Sequence, residues 1–85
     1  MSILVPMSTQ NRSLHSIACE IYTLWEQPYF GAVPYIQAMR YLNDITDNYG
    51  YDSADSIVRY FLANAGTWRG EDARRIKAEL KAMIK

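Results

Sequence analysis

Three observations predict an all-α chain, a compact four-helix domain. Apolar residues recur at helical spacing in four segments; proline, glycine and asparagine mark the breaks between them; and no segment alternates with the two-residue period of a strand. The expected helices cover about residues 13–26, 34–47, 53–65 and 71–84, one domain spanning 11–85, with residues 1–10 as a flexible N-terminal segment. Eighty-five residues supply a single core. A composition that is 49% hydrophobic and 13% aromatic excludes disorder over most of the length.

In the first helix Leu14, Ile17, Ala18, Ile21, Leu24 and Trp25 share one broad face, and Ser13 is placed to cap it. Pro28 and Gly31 end that pattern. The second helix opens at Pro34, where a missing N–H costs nothing. Its apolar residues, Tyr35, Ile36, Ala38, Met39, Tyr41, Leu42 and Ile45, cover a wider arc than a surface helix needs, so it is expected to be central. "TDNYGYDSAD" is turn chemistry around Gly50, after which Asp52 or Ser53 caps a third helix bearing Ala54, Ile57, Val58, Phe61 and Leu62. The fourth carries a narrower stripe of Ala73, Ile76, Leu80, Met83 and Ile84.

Net charge is zero, but it is divided along the chain. Residues 1–58 hold six acids against two bases, and residues 59–85 hold seven bases against three acids. Such halves attract each other within one fold or between copies. The start, "MSILVPMSTQ", has no basic segment and too short an apolar run for a signal peptide or membrane span. With Cys19 the single cysteine, no internal disulfide forms, and a reducing cytoplasm is the expected compartment.

"NAGTWRGEDARR" has the outline of a helix-turn-helix, a glycine turn followed by an arginine-rich helix. DNA reading by it is not expected. That helix begins with Glu71 and Asp72, which suit the helix dipole but would repel phosphates. Trp68 reads as a plug for the corner, and Arg69 as a partner for carbonyls or an acid of the N-terminal half. Arg74, Lys77, Lys81 and Lys85 form a basic face, most simply a solvated one.

No catalytic grouping, cofactor site or metal site is expected, and the chain does not read as an enzyme. His15 and Cys19 lie one turn apart on the polar edge of the first helix, without an evident orienting acid. The acids Asp44, Asp47, Asp52 and Asp55 straddle Gly50, yet an EF-hand loop ends in a glutamate and Ser56 stands in that place. Aromatic surface remains: Tyr29, Phe30, Tyr35, Tyr41, Tyr49, Tyr51 and Trp68 exceed what four short helices enclose. Tyrosine, tryptophan and arginine favour protein interfaces, so Tyr29, Phe30, Tyr35, Tyr49, Tyr51, Trp68 and Arg69 are the expected partner-binding residues.

"YFGAVPYIQAM" and "DSADSIVRYFLANAGTWRGEDARRIKAELK" resemble a family of small uncharacterised proteins encoded by tailed bacteriophages, phages of marine and cyanobacterial hosts among them. The resemblance spans about residues 16–85 and is strongest at "SIVRYFLANAGTWRG". It implies no reaction, cofactor or site; it implies a setting, the cytoplasm of an infected bacterium. The expected function is a non-enzymatic interaction module, a homo-oligomer among the options, that binds and modulates a host protein. The alternatives are a nucleic-acid-binding regulator using the basic face, or a minor virion or assembly protein.

Overall fold

The computed structural model describes residues 12–84; the expectation for residues 1–10 lies outside that range. The described chain is mostly helical. Helix α1 runs Leu14–Leu24, α2 Val33–Met39, α3 Ala54–Ala63 and α4 Glu71–Met83, with a hairpin of strands β1 (Asn48–Tyr49) and β2 (Asp52–Ser53) between α2 and α3.

Serine caps set two of the helix starts. The Ser13 hydroxyl accepts the Ser16 N–H at 3.1 Å, and the Ser53 hydroxyl accepts the Ser56 N–H at 3.1 Å. Each satisfies a donor that has no partner inside its helix. α4 instead begins at Gly70, whose φ of 112° is tolerated only without a Cβ. Glu71 and Asp72 then place negative charge on its first turn.

Two corrections concern the middle of the chain. The second helix, expected to reach residue 47, stops at Met39. Beyond it the ladder tightens: the N–H groups of Arg40, Tyr41 and Leu42 reach back three residues, to Gln37, Ala38 and Met39. The Leu42 and Asn43 carbonyls are then taken by α1, which donates to them from His15 and Leu14, both at 2.9 Å. These tertiary bonds cap the start of α1 and turn the chain away from the helix axis. The second correction is the hairpin itself, where only turn was expected. Asn48 pairs with Ser53 and Tyr49 with Asp52, antiparallel, around Gly50 with φ 64°.

α2 packs on α1 and α3, and α4 lies against both of those helices. Leu14, Ile17, Ile21, Ile36, Met39, Val58, Phe61, Ile76 and Leu80 are fully enclosed. The Trp25 ring stacks on Trp68, with centroids 5.4 Å apart and planes 11° from parallel, and meets Phe61 edge to face at 6.4 Å. Trp68 is therefore the corner plug that its sequence context suggests. No helix among the described residues is long and apolar enough to cross a membrane.

Candidate interaction surface

Folding draws the divided charge together at the α1–α4 seam. Arg12 forks onto Glu79 through two hydrogen bonds of 2.7 and 3.0 Å. A third arm of its guanidinium pairs with Glu20 at 2.7 Å. Arg75 bridges Glu20 at 2.8 Å and Asp72 at 3.1 Å. The Arg75 hydrogen bond, then the Arg12 one, holds the Glu20 carboxyl below its usual range, and Glu79 above all raises the Arg12 guanidinium. An acid of the N-terminal half thus meets the basic helix inside one molecule.

The expected basic face is thinned by the same packing. Lys77 turns inward and donates to the Trp68 carbonyl at 2.7 Å, and burial lowers its pKa. Arg74 and Lys81 remain exposed, and Lys85 lies outside the described residues. Arg69 is exposed, but it makes no hydrogen bond or ion pair among the described residues, contrary to the expectation that it ties down a carbonyl or an acid.

His15 and Cys19 do approach each other, with Nε2 3.7 Å from Sγ. The other ring nitrogen, Nδ1, lies 2.7 Å from the Arg40 carbonyl oxygen, which can only accept. Nδ1 is therefore the donor in that contact, and in the neutral tautomer this leaves Nε2 as an acceptor facing the thiol. A backbone carbonyl takes the place where the sequence offered no orienting acid, and the bond clamps the end of α2 to α1. The acids around Gly50 have separate tasks. Asp47 Oδ2 accepts the N–H groups of Asn43 at 3.1 Å and Asp44 at 3.0 Å, and Asp55 binds Arg59 at 2.8 Å.

The rings divide into core and surface. Trp68 belongs to the core and drops out of the expected contact set, and Tyr35 is half-buried against it. Tyr29, Phe30, Tyr41, Tyr49, Tyr51 and Tyr60 are exposed, Phe30 and Tyr41 at 80% and 78% and Tyr51 completely. Most of the exposed rings stand in contact with another ring. Tyr29 and Phe30 lie 4.9 Å apart, Tyr35 and Tyr60 5.5 Å, and Tyr41 stacks on Tyr49 at 6.2 Å. An open depression of about 300 Å³ adjoins the first pair, lined by Tyr29, Ala63, Asn64, Gly66 and Thr67.

Tyr60 and Tyr41 escaped the expected contact set for different reasons. Tyr60 follows from its phase, since at about 100° per residue it falls off the arc of Ala54, Ile57, Val58 and Phe61. Tyr41 was assigned to a helix face that the chain abandons after Met39. No protein-family model, curated protein or solved structure matches the chain.

Proposed function

We propose that this chain is a non-enzymatic helical interaction module of a tailed phage, which binds and modulates a bacterial host protein through its exposed rings. One observation carries the reading: six aromatic side chains face solvent, most of them already set against a neighbouring ring. Aromatic rings offer large contact areas with two rotatable bonds each, so little conformational entropy is lost when a partner covers them. A ring already packed on another loses still less. Interfaces of this kind concentrate their binding energy on such anchors.

The rings form three groups, one of them Tyr60 against Tyr35, and the other two are tested separately. Tyr29, Phe30 and Arg69 belong to the end of the molecule near the α3–α4 corner, and Tyr41, Tyr49 and Tyr51 to the hairpin side. The tagged protein is used to capture partners from bacterial lysate, beside a Tyr29→Ala/Phe30→Ala/Arg69→Ala variant and a Tyr41→Ala/Tyr51→Ala variant. A host protein retained by the parent and depleted by at least one variant is the expected result. Equal capture by all three would end the reading, as would the absence of any saturable partner.

A further inference from the structure

We propose that the hairpin face docks an arginine-bearing peptide segment of the partner; this deepens the reading above and rests on it. Three features coincide there. Tyr41 and Tyr49 form a stacked pair with planes 30° apart, and Tyr51, in the two-residue loop, is wholly exposed. Tyr49 stands directly across from Asp52 in the ladder, so ring and carboxylate share one face of the hairpin. Finally, no Lys, Arg or His occurs between Arg40 and Arg59, while Asp44, Asp47, Asp52 and Asp55 all do.

Two of these four acids are already engaged, Asp47 with backbone N–H groups and Asp55 with Arg59. Asp44 and Asp52 are exposed, and their carboxylates hold no hydrogen bond or ion pair among the described residues. Of the two cations that flank this stretch, Arg40 sets its guanidinium over Tyr22, 5.6 Å from that ring's centroid, and Arg59 binds Asp55. Residues 1–11 contain no Lys or Arg.

What fits open tyrosine faces beside unpaired carboxylates is a flat cation. A guanidinium lies on the ring by cation–π attraction while its edge donates two parallel hydrogen bonds to a carboxylate. An ammonium satisfies the charge but neither stacks as a plane nor forks. The surface therefore selects arginine over lysine.

The test is a fluorescence-anisotropy titration of the full chain with labelled nona-arginine, nona-lysine and nona-glutamate peptides at low and physiological salt. Parent protein is compared with Asp44→Asn/Asp52→Asn, with Tyr41→Leu/Tyr51→Leu, and with Glu26→Gln/Glu71→Gln, which removes the same charge from exposed sites elsewhere. Far-UV circular dichroism checks the fold of each.

Nona-arginine is expected to bind about tenfold tighter than nona-lysine, with nona-glutamate inert. Both hairpin variants should weaken arginine binding by about tenfold, and the Glu26/Glu71 control by less than about twofold. Equal weakening by the control, equal affinity for lysine, or no arginine binding at low salt would each overturn the proposal. So would self-association in sedimentation velocity that the hairpin substitutions abolish, because the face would then belong to a second copy. If arginine binding fails while the Tyr29/Phe30/Arg69 variant still loses the host protein, only this inference falls; if capture fails as well, the interaction reading falls with it.

Discussion

Replacing Trp68 with alanine separates a core ring from a contact ring. Trp68 is 5% exposed and stacked on Trp25, and its own carbonyl receives the Lys77 ammonium. A tryptophan side chain covers about 150–250 Å². At about 25 cal/mol per Å² its burial contributes about 4–6 kcal/mol, an upper bound because the unfolded chain already hides part of that area. Tryptophan-to-alanine changes in cores cost about 3–5 kcal/mol. A domain of this size has about 4–13 kcal/mol in all, so Trp68→Ala removes about a quarter of its stability or more.

The assay is urea unfolding followed by far-UV circular dichroism, with Trp25 fluorescence as a second probe. A slope of about 1–2 kcal/mol per molar converts a loss of about 4 kcal/mol into a midpoint about 2–4 M lower. A contact ring would instead change stability by no more than about 0.5 kcal/mol. A midpoint shift below about 0.5 M at unchanged slope would refute the corner-plug assignment and return Trp68 to the binding surface.

Three further outcomes are expected. Phe30→Ala and Tyr51→Ala should leave the unfolding free energy from urea titration within about 0.5 kcal/mol of the parent, since both rings face water; a larger loss would show that they support the fold. Gly70→Ala should cost about 1–3 kcal/mol because φ of 112° strains any side chain, whereas Gly66→Ala, with open space at its Cβ and no such φ, should be close to neutral; equal thermal shifts would contradict this. Acidification should destabilise the fold through Glu20. Its folded-state pKa is depressed, so its contribution is complete above the unfolded value of about 4.3 and is lost as pH falls through the folded value. Arg75→Gln, which removes the largest cause, should flatten the fall in urea midpoint between about pH 5 and pH 3; an unchanged slope would show that the pair is not formed in solution.

The four helices were legible because their signals are local. A 3.6-residue period brings Leu14, Ile17, Ala18 and Ile21 onto one face whatever the rest of the chain does, and Ser13 and Ser53 satisfy N–H groups three residues away. The excess of aromatic residues was equally readable, and so was the division of charge. The end of α2 was not, although Leu42 and Ile45 continue its apolar pattern. The carbonyls that turn the chain there bond to Leu14 and His15, which lie far upstream and carry no mark of that role.

The same distinction governs the surface. Composition alone determines that some rings must remain outside a core this small, but it cannot say which, because Trp68 and Tyr51 are both large rings with a polar edge, at home in a core or at a surface. Only packing assigns one to a stack against Trp25 and leaves the other in water. Likewise, acids and bases are counted in the sequence, while their pairing depends on where helices come to rest: Glu20 is spent at the α1–α4 seam, and Asp52 is left open beside Tyr49. Period and capping act over a few residues and survive as pattern; burial and ion pairing act across the fold and exist only once the helices have met.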